Sequence, residues 1–176
     1  MRSLLLSAVA LSFGLALAPA PAATADDIGD VVCHGGSIHL RFDPGLKFTR
    51  DTVRLTGTGD VGICSSVKRP ALTGGTVRVE GVITGGCPGP IGPGYAKMTI
   101  TWNDDTTTTV GQSMFRGEMS QFGLEGGVVS TGPFAGGTAR VSGRTTSSLI
   151  ELGAACVLTG ATSLASTIDR LTVGAA

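Results

Sequence analysis

The chain has 176 residues, with 13 Lys and Arg against 13 Asp and Glu and 28 glycines. Such charge balance speaks against a nucleic-acid partner, which demands a basic face to neutralise phosphates. The length suits a single domain able to bury its own core.

The first element is an export leader. Met1-Arg2-Ser3 opens it, an apolar run follows from Leu4 to Leu17, and small residues and prolines lead to Ala23-Thr24-Ala25. That is the order of a cleavable signal peptide ending in an A-x-A site, so residues 1–25 are expected to be removed. A bilayer-spanning helix needs about 20 apolar residues, and Pro19 and Pro21 close this run early. The mature domain is then 26–176, with no membrane attachment after cleavage and a secreted, extracellular location. Once Arg2 goes with the leader, the 13 basic residues fall to 12 against 13 acidic ones.

Beyond the leader, apolar and polar residues alternate with period two, the signature of strands with one wet face. Ile38, Leu40 and Phe42 point inward, then Val53 and Leu55, Val77 and Val79, and Met98, Ile100 and Trp102. Ala139 and Val141 continue the pattern, followed by Leu171 and Val173. Turns are expected at Phe42-Asp43-Pro44-Gly45, where Pro fixes φ, and at Trp102-Asn103-Asp104-Asp105. After Gly81 the inward residue is expected to become Val82, which implies a β-bulge. Pro88 to Gly94 holds three prolines and three glycines and is read as a loop. Phe115, Met119 and Phe122 recur at helical spacing, yet Gly111, Gly117 and Gly123 weaken a helix there, so 112–124 is assigned to strand. The sum is an all-β antiparallel meander of about eight to ten strands closing into a barrel, with a two-sheet sandwich as the alternative.

Cys33, Cys64, Cys87 and Cys156 all follow the leader. Their gaps of 31, 23 and 69 residues contain none of the close pairs that a tetrahedral zinc site uses. Two disulfides are the better reading in an exported chain. In a hairpin about Pro44-Gly45, residue 33 lies near residue 60, which puts Cys64 at the same end as Cys33 and Cys87 at the opposite one. The expected pairs are Cys33 with Cys64 and Cys87 with Cys156.

No constellation for chemistry emerges. A serine triad needs a histidine, and only His34 and His39 exist, with no G-x-S-x-G elbow. Five residues apart on a regular strand, the two point to opposite faces and cannot share a metal. Asp26-Asp27 and Asp104-Asp105 are adjacent pairs, and Glu80, Glu118, Glu125 and Glu151 are scattered rather than opposed across a cleft. No catalytic, metal-binding or cofactor-binding residue is therefore assigned, and no cofactor is implied. Binding surfaces remain: a hydroxyl ladder from Thr106 to Thr109 beside Thr99 and Thr101, and the basic loop Ser65 to Pro70. Tyr95 and Trp102 are the large polar-edged aromatics, and Trp102 has inward parity.

Four motifs carry a resemblance: Phe42-Asp43-Pro44-Gly45-Leu46, Gly/Thr-rich strands ending in Cys64 and Cys87, Thr99 to Asn103, and Thr131 to Gly136. In these the chain resembles a group of small secreted Gly/Thr-rich β proteins of unknown function from Gram-positive filamentous bacteria. The resemblance implies a shared β architecture and transfers no functional residue. The expectation is a secreted non-catalytic binding or envelope-associated module, whose partner is an extracellular protein or a cell-wall glycan. The alternatives are a protease inhibitor acting through the 87–94 loop and a hydrolase with an unrecognised site.

Overall fold

The computed structural model describes residues 30–175, so the expected leader lies outside the described residues. Eight strands follow in order: β1 (Val31–Leu46), β2 (Asp51–Ser65), β3 (Gly75–Gly85), β4 (Ile91–Trp102), β5 (Thr107–Gly117), β6 (Gln121–Thr131), β7 (Thr138–Thr145) and β8 (Ala161–Gly174). Each pairs antiparallel with the next, and β8 returns to β1, closing the barrel. The barrel expected from the alternation is the one observed, and the sandwich is not.

Inward-facing Leu40, Leu55, Met98, Ile100, Trp102, Phe115 and Leu171 are fully buried within one apolar cluster. Eight strands enclose a space just wide enough for side chains, and side chains occupy it. Trp102 satisfies its indole N–H inside by donating to the Thr108 hydroxyl at 2.8 Å. Its ring also meets Phe134 edge-on, with centroids 5.9 Å apart.

Inward parity changes once along β1, at a corner formed by two glycines. Gly35 and Gly62 are cross-strand partners, and both take positive φ, 72° and 77°. Before the corner Val31 and Cys33 face the core; after it Ile38, Leu40 and Phe42 do. On β2 the change runs from Val61 to Cys64. The β1–β2 register stays unbroken through it, so Cys33 and Cys64 come to lie directly opposite each other with both side chains buried. A Cβ on Gly62 would collide with the His34 carbonyl oxygen.

The two disulfides are Cys33–Cys64 and Cys87–Cys156, as expected, at opposite ends of the barrel. The hairpin geometry behind that expectation is off by four positions, because β1 runs on to Leu46 and the turn lies at 47–50. Cys33 therefore faces Cys64 itself rather than a residue near 60.

Three further expectations are corrected. β3 keeps its parity through Gly81, with Val82 exposed, Ile83 buried and an unbroken ladder to β2, so no bulge lies there. Residues 91–94 belong to β4 rather than to a loop. The ladders on both sides skip a register at Gly92-Pro93, and such an irregularity is where a strand tolerates a proline without its N–H. The 112–124 segment is strand, but it divides into the end of β5 and the start of β6 around a turn at 118–120.

One element was not foreseen: helix α1 (Leu149–Leu158) between β7 and β8. Ser148 caps it, accepting from the Glu151 N–H, and Gly160 at φ 88° ends it by donating its N–H to the Ala155 carbonyl at 2.8 Å. Only Leu152 and Cys156 of α1 are buried. Cys156 ties α1 to the 86–90 turn across 69 residues of sequence.

Two outcomes are expected. Gly62→Ala should cost about 1–2 kcal/mol or more, since an L-residue in left-handed geometry carries that penalty before any collision; urea unfolding measures it. The Cys87→Ser/Cys156→Ser variant should lose roughly 2–4 kcal/mol and expose α1 amides to hydrogen exchange, with β1–β8 amides still protected.

Candidate binding surface on the barrel wall

The structure separates most of the residues that sequence made candidates. His34 and His39 are both exposed on the outer wall, not on opposite faces, because the Gly35 corner reverses parity between them. His34 Nδ1 lies 3.1 Å from the Asp169 carbonyl oxygen. Among the described residues no group of three or more His, Cys, Asp or Glu side chains gathers as metal ligands would. Glu80, Glu118, Glu125 and Glu151 are all exposed. Asp104 and Asp105 occupy the hairpin tip, where the Asp104 carboxylate accepts from the Thr106 hydroxyl.

The hydroxyl ladder exists in altered membership. Thr101 pairs with Thr107, and Thr99 with Thr109, which in turn pairs with Thr131. Thr108 faces inward and is fully buried. The basic loop at 65–70 is committed to structure: Lys68 pairs with Asp30 at 2.5 Å and Arg69 with Asp104 at 3.6 Å.

Of the 87–94 segment, only Cys87 to Pro90 lies between strands, and it is pinned against α1 by the Cys87–Cys156 bridge. With Met119, Leu149 and Leu152 it lines an apolar groove of about 460 Å³ at that end of the barrel. Within 87–94, Cys87, Ile91 and Gly92 are buried, while Pro88, Gly89, Pro90, Pro93 and Gly94 are exposed or half-buried.

A different surface comes together on the wall. Pairing places Arg54, Val82, Tyr95, Met114 and Glu125 side by side, one from each of β2 to β6. Four inter-strand steps at about 4.8 Å make this row roughly 19 Å long. Its middle is apolar: Val82 is 55% exposed and Tyr95 56%. Its ends are charged. Among the described residues the Tyr95 hydroxyl makes no hydrogen bond, so an aromatic face and a free hydroxyl are both offered to solvent.

Two bulges shape the far end of the row. Register slips on β5 beside Gly111 and Gln112, and on β6 at Glu125 and Gly126, where Gly126 has φ 70°. A bulge re-aims side chains that a regular ladder would turn away. Here Glu125 and Gly126 both face outward, opposite Arg140 of β7. Tyr95, Gln112, Met114, Glu125, Gly126 and Arg140 then line a shallow depression of about 410 Å³. At the near end, His39, Arg41, Asp43, Arg54, Thr56, Thr162 and Ser163 line a groove of about 590 Å³. Both volumes fall in the range of small-ligand sites, about 300–1,000 Å³.

Sequence reading singled out Tyr95 but missed its neighbours, since row membership depends on the registers of five strands. What this row and its flanking depressions offer is an aromatic plane at Tyr95, the Gln112 amide, the Glu125 carboxylate and the guanidinium donors of Arg41, Arg54 and Arg140. The chain matches no protein-family profile, no curated protein and no solved structure.

The Asp30 carboxyl, at the Cys33 end, sits below its ordinary 3.8, chiefly through its bond with the Lys68 ammonium and then through the Ala175 N–H. A folded value below the unfolded one stabilises the fold above pH 3.8, and the contribution is lost as pH falls through the lower folded value. Carboxyl NMR titration should place the Asp30 midpoint under 3.8, and Lys68→Ala should raise it.

Proposed function

We propose that this chain acts outside the cell as a non-catalytic binding module whose ligand lies on the barrel wall, across Arg54, Val82, Tyr95, Met114 and Glu125. The observation that carries this reading is the exposed aromatic-centred row, flanked by two shallow depressions that hold charged side chains, on a barrel whose interior is occupied by its own side chains. A pocketed barrel would hold its ligand within; with this interior filled, the outer wall is the surface left for recognition.

Two disulfides are consistent with an oxidising location, and the leader read in residues 1–25 agrees with export. The partner class that suits the row is an envelope polysaccharide. Sugar rings present C–H faces that pack on an aromatic plane, and hydroxyls that amide, carboxylate and guanidinium groups hydrogen-bond.

The oxidised domain lacking residues 1–25 should be retained by an insoluble cell-wall glycan preparation. Tyr95→Ala should weaken that retention about tenfold, as loss of a central aromatic anchor does, with the thermal unfolding midpoint unchanged. Retention unaffected by Tyr95→Ala would remove the wall row from consideration.

A further inference from the structure

We infer that the groove at the near end of the row is an oxyanion subsite, in which Arg41 and Arg54 hold a phosphate or carboxylate group carried on a hydroxyl-rich polymer. The inference rests on the wall-binding reading and names the chemistry at one end of it.

The geometry is that of a cationic pair in a hydroxyl frame. His39, Arg41 and Asp43 alternate on the outer face of β1. Arg41 is partnered by Thr56 of β2 on one side and Ser163 of β8 on the other. Arg54 sits one outward step along β2 from Thr56, which makes Arg41 and Arg54 diagonal neighbours. Such positions lie about 7–8 Å apart between backbones, within mutual reach of two long side chains. All of these residues, with Thr162, line one groove of about 590 Å³.

The guanidinium groups are not used within the protein. Two other arginines of the wall are paired, Arg78 with Glu80 and Arg144 with Asp169, while Arg140 of β7 makes no ion pair among the described residues. Among the described residues Arg41 and Arg54 make neither an ion pair nor a side-chain hydrogen bond, and the same is true of His39. Asp43 is the cross-strand partner of Arg54, yet forms no ion pair with it. Like charges on neighbouring strands repel. An oxyanion between them removes that repulsion and accepts charge-assisted hydrogen bonds from both planar forks. Thr56, Thr162 and Ser163 add donors for its remaining oxygens and for adjacent hydroxyls.

Asp43 gives the site a sign that a merely structural cluster would lack. Its carboxylate opposes an incoming anion, so removing its charge should tighten binding while removing the arginines weakens it.

The test is an NMR titration of the ¹⁵N-labelled oxidised domain, first with inorganic phosphate, then with poly(glycerol phosphate) and with polygalacturonate. The expected result is movement of the Arg41 and Arg54 side-chain resonances. Arg41→Ala/Arg54→Ala should raise the polymer Kd at least about tenfold, and Asp43→Asn should lower it. Preference for poly(glycerol phosphate) identifies a phosphate source and preference for polygalacturonate a carboxylate source; either supports the subsite. Phosphate binding with both polymers indifferent to the arginine substitutions means an adventitious ion only, and overturns it. So does a titration that leaves both arginines unmoved. Cell-wall retention lost in Tyr95→Ala but kept in the arginine variant removes the subsite alone. Retention indifferent to Tyr95→Ala removes the wall-binding reading beneath it.

Discussion

The ladder between β1 and β8 is the constraint on which the rest depends. It runs from Val31 against Val173 to Leu46 against Ala161 and joins the ends of the strand sequence to each other. A meander of eight strands without it would present two long edges of unpaired N–H and C=O groups, ready to pair with other chains. With it, each strand has two neighbours and the inward side chains share one enclosed core. Closure therefore fixes inside and outside at once, and it is what leaves Arg41, Tyr95 and Glu125 on a single continuous exterior.

Much of this architecture was legible in the order of residues. Period-two alternation at Ile38–Phe42, Val77–Val79 and Met98–Trp102 named the inward faces correctly, because a strand with one wet side has no other way to arrange its apolar residues. The cysteine pairing followed from which end of the meander each occupies. Positions where the backbone departs from the regular pleat were harder to read. Gly35 and Gly62 reverse parity together, so counting by twos from Ile38 sends His34 to the wrong face. At Gly92-Pro93 the strand continues through residues that ordinarily end one.

Helix α1 carries local start and stop signals in a stretch too short and too evenly apolar to show a helical period. Ser148 and Glu151 stand at capping-box spacing, and Gly160 supplies the left-handed stop. Against these stood a short length and Gly153, within a sequence otherwise patterned for sheet. Its apolar character on all sides hides the period that would mark a buried face: Leu152 and Cys156 are covered, while Ile150 is 85% exposed. The wall row was illegible for a different reason. Arg54, Val82, Tyr95, Met114 and Glu125 are neighbours only through four successive registers, and a single slip at the β5 irregularity would have dealt Tyr95 another partner.

The row occupies four of the eight steps around a closed cylinder. Because the strands of a closed barrel are tilted, the row climbs the wall as it turns, and its first and last members look outward at roughly a right angle, so no flat object can lie against both. A stiff planar sheet of packed chains would graze two or three of these residues, whereas a pliant strand could bend around the wall and meet all of them. On the proposed wall-binding reading, that curvature would favour slack, separately accessible polymers over crystalline ones, whatever their chemical identity.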